Sequence, residues 1–99
     1  MHLREVQETV KELKKKLDEK HGAWGPFALV TDLVEEVGEI AEAVKAREGA
    51  KPGKELSEEK LGMELADAIY SIAALANHYN IGLEENFEKI ISSIRKRFL

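Results

Sequence analysis

Five carboxylates carry most of the chemistry this chain can offer. Glu35, Glu36 and Glu39 fall in Leu33-Val34-Glu35-Glu36-Val37-Gly38-Glu39-Ile40, and Glu64 and Asp67 in Leu61-Gly62-Met63-Glu64-Leu65-Ala66-Asp67-Ala68. Glu36 and Glu39 are three apart, as are Glu64 and Asp67, and Glu35 and Glu39 are four apart. On a helix these spacings make like-charged neighbours, at a cost of about a few tenths of a kcal/mol per pair. The first cation that follows the first group is Lys45. At about 100° per residue, Glu36 sits beside Leu29 and Ile40 on the rim of an apolar stripe. Glu64 shares the arc of Leu61, Ala68, Ile72 and Leu75, and Asp67 lies one turn along.

An ionised carboxylate taken out of water must be paired, protonated or bound to a metal. For any one acid the simplest partner is a lysine or arginine of another helix. Two acid pairs on consecutive antiparallel helices can instead converge, placing four carboxylates around one small volume. An all-oxygen cage of this kind suits Mg²⁺ or Mn²⁺, not zinc, and Mg²⁺ commonly bridges to substrate phosphates. A di-iron bundle would need Glu-x-x-His pairs. His2, His21 and His78 are the only histidines, and none stands three residues after a glutamate.

The elements that must position these acids are helices. Leu3, Val6, Val10, Leu13 and Leu17 recur at steps of three and four, predicting a first helix ended by His21-Gly22, with glycine as a left-handed cap. Pro26 suits the first turn of a second helix running to about Glu48, with Leu29, Leu33, Val37, Ile40 and Val44 as its buried face. Residues 49–57 read as a loop, with Ser57 as an N-cap and Glu58-Glu59 favouring the dipole of a third helix over 58–79. Asn80 and Gly82 interrupt it, and Leu83, Phe87, Ile90, Ile94 and Phe98 mark a fourth helix. No segment alternates as a strand would. The expectation is one all-α domain over 1–99, a four-helix bundle-type protomer whose thin core is completed by homo-oligomerisation, as a dimer or tetramer.

Composition narrows the function classes. With no cysteine among 99 residues, disulfide frameworks, thiolate metal sites and a cysteine nucleophile drop out. The segment MHLREVQETVKELKKK has no apolar run of signal-peptide length and no stretch approaches a membrane span, so a cytoplasmic protein with no membrane partner is expected. Net charge is −4, which opposes nucleic-acid binding, and Lys11, Lys14, Lys15 and Lys16 read as the solvated side of the first helix. Charged residues make up 34%, above the usual quarter or so, a hint of heat adaptation.

These residues resemble the MazG-like members of the all-α nucleoside triphosphate pyrophosphohydrolase superfamily, marked by a Glu-Glu-x-x-Glu helix, a spacer and a Glu-x-x-Asp helix. Here the motifs are Glu35-Glu36-Val37-Gly38-Glu39 and Glu64-Leu65-Ala66-Asp67, and the similarity spans about residues 20–98. The resemblance implies hydrolysis of a nucleoside or deoxynucleoside triphosphate between its α and β phosphates, giving a monophosphate and pyrophosphate, in sanitation of the nucleotide pool. It implies Glu36, Glu39, Glu64 and Asp67 as Mg²⁺ ligands, with Mn²⁺ a substitute, and Glu35 as the group that orients or deprotonates the attacking water. Lys89 matches a lysine of the family's fourth helix, and Arg95, Lys96 and Arg97 resemble the basic end that follows. Phosphate binding is implied there, although the same three cations suit a helix C-terminus. Trp24 stands where relatives place an aromatic near the base, and a lone tryptophan also caps small cores.

The chain departs from the family at Ser93 and at Phe98-Leu99, where relatives carry Asn and a Tyr-Pro. Tyr70, Asn77 and His78 read as packing or interface residues. The competing reading from another class is a non-catalytic helical interaction module whose acids bind a basic partner, supported by the nearly coiled-coil spacing of Leu3 to Leu17.

Overall fold

A computed structural model describes residues 2–49 and 58–99, with side chains from 60 onward in the second segment. Among the described residues there are four helices and no strand: α1 (Leu3–His21), α2 (Pro26–Arg47), α3 (Glu58–His78) and α4 (Leu83–Phe98). The expected all-α architecture is the observed one. The Ser57 cap, the side chains of Glu58 and Glu59, and the loop expected over 49–57, Gly49 apart, lie outside the described residues. No described helix is long and apolar enough to cross a membrane.

The helix ends follow local chemistry. Gly22 closes α1 with a φ of 93°, and its N–H bonds Asp18 O at 2.9 Å. A positive φ of this kind is open to glycine at little steric cost. Pro26 occupies the first turn of α2, where its missing N–H leaves no bond unmade. Asn80, with a φ of 54°, turns the chain out of α3, while Ile81 N–H bonds Ala76 O at 2.9 Å. Asparagine is one of the few residues with a side chain that enter the left-handed region routinely.

The chain divides into two compact units. The first comprises residues 1–23 and 73–99, that is α1, the last turns of α3, and α4. Val10, Ala73, Ala74 and Ala76 form its buried core. The amide of Gln7 fastens it: Nε2 donates to Asn77 Oδ1 at 3.0 Å and Ile81 O at 2.8 Å, and Oε1 accepts from Leu83 N–H at 2.8 Å. Asn77 Nδ2 returns a bond to Gln7 O at 2.9 Å. Arg4 reaches Glu84 and Glu85 at 3.2 Å each, tying the first turn of α1 to that of α4. These exposed ion pairs contribute little beyond orientation.

The second unit, residues 24–72, holds α2 and most of α3. Its contacts run antiparallel: Ser71 meets Asp32 and Glu36, while Glu64 meets Glu39 farther along α2. Leu29, Ala43, Ala46 and Ala68 are buried. The expected face of α2 is thereby corrected. Leu29 is buried and Leu33 and Ile40 are half-buried, but Val37 and Val44 are exposed, and the other buried side chains of the helix are Ala43 and Ala46. Small side chains let helix axes approach closely, so burial follows size and angle together. The apolar row of α4 is exposed at Phe87, Ile90, Ile94 and Phe98, as are Leu13 and Leu17 of α1.

Candidate active site

The acidic helix faces of α2 and α3 meet within the second unit. Glu36 and Glu64 are half-buried, as is Asp32; Glu35, Glu39 and Asp67 are exposed. The two half-buried motif glutamates each carry one buried oxygen, Glu36 Oε2 and Glu64 Oε2, that no hydrogen-bond donor reaches. Lys60 supplies a cationic charge that acts on Glu39, but no donor bonds either of the two orphaned oxygens. The partners are other carboxyls. Asp32 is the neighbour of Glu36, and Glu64 that of Glu39.

The electrostatic consequence is large. Burial pushes the Glu36 carboxyl up to about 7, with the adjacent Asp32 and the charge of Asp67 adding to it and the Ser71 hydroxyl opposing. Glu39 is raised by its contact with Glu64 and that group's charge, then by burial and the charge of Asp32, while Lys60 pulls the other way. A carboxyl bonds another carboxyl only when one of them holds a proton. The orphaned oxygens and the raised affinity for protons are therefore one phenomenon: negative charge gathered without a compensating donor.

Ser71 is the exception among the neighbours. Its Oγ lies 3.1 Å from Asp32 Oδ2 and 3.2 Å from Glu36 Oε1, and the residue is only 2% exposed. A hydroxyl has one hydrogen, so it satisfies one of these carboxylates at a time.

Neither Ser71 nor Asp32 figures in the motif read from sequence. A usable signal was present: Asp32 stands four residues before Glu36 and Ser71 four after Asp67, so both acid rows continue by one turn on the same faces. Glu35 is exposed on α2 and takes no part in these pairings.

The donor set fits a hard divalent cation. Every group is a carboxylate or hydroxyl oxygen, and each helix supplies a buried oxygen that lacks a donor. Among the described residues no three acids or histidines are drawn together closely enough to hold an ion as they stand. The acids associate in twos, so convergence on one ion requires rotation of side chains whose backbones are already adjacent.

The remaining expected site residues are Trp24, Lys89 and Arg95. Trp24 is half-exposed at the start of the second unit. Lys89 and Arg95 are exposed on α4 in the first unit. Lys89 lines a shallow depression with Ser92, Ser93, Lys96 and Arg97, and the Arg97 guanidinium lies 5.5 Å from the centroid of the Phe98 ring.

Comparison with known proteins agrees with this geometry. Residues 25–98 match the family model of the MazG nucleotide pyrophosphohydrolase domain. The uncharacterized protein YpjD of Bacillus subtilis is 32% identical over 95 residues, covering 90% of this chain and 86% of its own. YvdC of the same organism, also uncharacterized, is 34% identical over 107 residues, covering 99% and 97%. The crystal structure of B. subtilis YpjD, described as a candidate pyrophosphatase, superposes with a TM-score of 0.81 at 29% identity over 94% of each chain. Paired acidic motifs on adjacent helices, an all-α fold and a matching family model over most of the length lead to one assignment: this chain belongs to the MazG nucleotide pyrophosphohydrolase family.

Proposed function

We propose that the protein is a Mg²⁺-dependent pyrophosphohydrolase that cleaves nucleoside or deoxynucleoside triphosphates between the α and β phosphates, releasing a monophosphate and pyrophosphate, and so clears the cytoplasmic nucleotide pool of unwanted substrates. The observation that carries this reading is the pair of buried, donorless oxygens of Glu36 and Glu64, one on each helix of the α2–α3 pair. Oxygens of this kind are costly in a protein that uses them for nothing.

Glu36, Glu39, Glu64 and Asp67 would hold Mg²⁺, with Mn²⁺ able to replace it. When bound, the ion supplies Lewis-acid polarisation of phosphate oxygens and lowers the pKa of water in its coordination sphere. The chain's own residues do the rest. Glu36 and Glu64 would anchor the site from inside, and the exposed Glu39 and Asp67 would complete the ligand set from the solvent side. Glu35, exposed one residue before Glu36, is the group assigned to orient or deprotonate the attacking water. Lys89 and Arg95 neutralise the triphosphate tail as charge-assisted donors, and Trp24 offers a ring for the base.

The test is incubation with a panel of ribo-, deoxy- and modified triphosphates and Mg²⁺, followed by measurement of pyrophosphate. Equal release of monophosphate and pyrophosphate is expected. Silence across the panel, or release of orthophosphate alone, contradicts the reading.

Partnership with a second copy belongs to the same proposal, as a homodimer or homotetramer. Phe27 is 88% exposed, Val34 66% and Val37 55%, and with Val30 and Val44 they form a row on α2 spaced by three, four and seven. At about 100° per residue this row lies opposite Glu36 and Glu39. An exposed apolar row of this length is atypical of a monomer. Light scattering should give a multiple of 11.1 kDa, and Val34→Glu should reduce it. A wild-type particle of single-chain mass at micromolar concentration contradicts the assembly.

A further inference from the structure

We propose that Ser71 is a positioning residue that recruits Asp32 to the cation-binding carboxylates of α2, extending that face one helical turn beyond Glu36 toward the start of the helix. The proposal rests on the functional reading above and deepens it. Its first support is what surrounds the hydroxyl. The other buried residues of α3 are Ala68, Ala73, Ala74 and Ala76, so packing against α3 is a matter of small apolar side chains. Alanine would fill the place of Ser71 as well, without taking a hydroxyl out of water. The hydroxyl at 2% exposure is therefore explained by what it bonds. A serine inside a helix commonly turns back on a carbonyl of its own preceding turn. Ser71 instead reaches across to α2, with Asp32 Oδ2 at 3.1 Å and Glu36 Oε1 at 3.2 Å.

The second support is what the hydroxyl leaves free. Asp32 and Glu36 are four apart on one helix, and two like charges at that spacing repel. The one hydroxyl lies within bonding distance of an oxygen of each on the α3 side and donates to one of them at a time. Glu36 then presents its other oxygen, Oε2, buried and without a donor, and Asp32 is kept beside it. A single uncharged group thus stands where it can orient either carboxylate, as an outer hydrogen bond orients a metal ligand.

Mn²⁺ binding to the full chain, followed by calorimetry and by loss of the free-ion electron paramagnetic signal, tests this on wild type, Ser71→Ala, Ser71→Thr, Asp32→Asn and Glu64→Gln, with circular dichroism on each. Ser71→Ala alters no charge and leaves an alanine among alanines, so it is expected to fold and to weaken Mn²⁺ roughly 10-fold, with Asp32→Asn at least as weak and Ser71→Thr recovering most of the loss. A merely structural serine would instead lower the melting temperature equally with and without Mn²⁺ and leave the affinity unchanged. Wild-type affinity in either Ser71→Ala or Asp32→Asn overturns the proposal. If those two are unchanged while Glu64→Gln no longer binds, the functional reading stands and this inference alone fails. If wild type binds no Mn²⁺, or Glu64→Gln binds as wild type does, both fall.

Discussion

The two units treat polar groups in opposite ways. Around Gln7 each amide atom has a partner: the side chain makes three bonds of 2.8–3.0 Å, the backbone carbonyl takes a fourth, and the chain leaving α3 is fixed to α1 and α4. Around Glu36 two acids, Asp32 and Glu36, compete for one serine hydroxyl, Glu39 and Glu64 meet each other, and two buried oxygens have no donor. A closed network holds a fold, because breaking it leaves orphans. An open one holds a ligand, because its members lack what the ligand brings. The contrast sets a satisfied network in the first unit against unsatisfied acids in the second.

The sharpest way to break this contrast is Glu64→Gln. Pyrophosphate release should fall by roughly 100-fold or more while helix content stays the same. Comparable turnover would mean that the open network is not the working one. Next in size, Gln7→Ala should lower stability by about 2 kcal/mol, since Ile81 O, Leu83 N–H and Asn77 Oδ1 each lose a partner, a fall in Tm of roughly 10 °C. Its response to Mg²⁺ should match that of wild type, and loss of that response would place the clasp in the site.

Proton linkage sharpens the comparison further. Glu36 is raised from 4.5 to about 7 in the folded chain, so the native state binds more protons than the unfolded state between those values. Stability without metal should therefore be greatest below about pH 4.5, as far as this group is concerned, fall between 4.5 and 7, and level off above. Glu36→Gln should flatten that slope and raise metal-free stability at pH 8 by on the order of 1–2 kcal/mol, read from urea midpoints. A steeper slope in the variant would contradict the assignment. The smallest effect is expected at Lys89→Ala. KM for a triphosphate should rise several-fold with little change in kcat, as for a surface contact to the phosphate tail. Unchanged KM would remove Lys89 from the substrate path.

Much of this was legible in the residues. Glu36 and Glu64 are turned inward as the helical arcs of Leu29, Ile40, Leu61 and Ala68 require, and the helix ends at Gly22, Pro26 and Asn80 follow turn chemistry. Asp32 and Ser71 were not read, because an isolated aspartate on a helix resembles a solvated side chain and a serine among alanines resembles filler. Only the pairing of α2 with α3 brings them together. The alanine core escaped for a related reason. A pattern weighted by large apolar residues selects Val37 and Val44, whereas the structure buries Ala43 and Ala46. Phe87, Ile90 and Ile94 show the reverse: an apolar row is plain in sequence, and the single chain leaves it exposed.

The most direct measurement is the melting temperature of wild type and of the Glu36→Gln/Glu64→Gln double variant at pH 8, each with EDTA and with millimolar Mg²⁺. Mg²⁺ should raise the wild-type value, while the variant should melt higher than wild type in EDTA and show no response to the ion. A wild type indifferent to Mg²⁺, or a double variant stabilised by it to the same extent, would contradict the account.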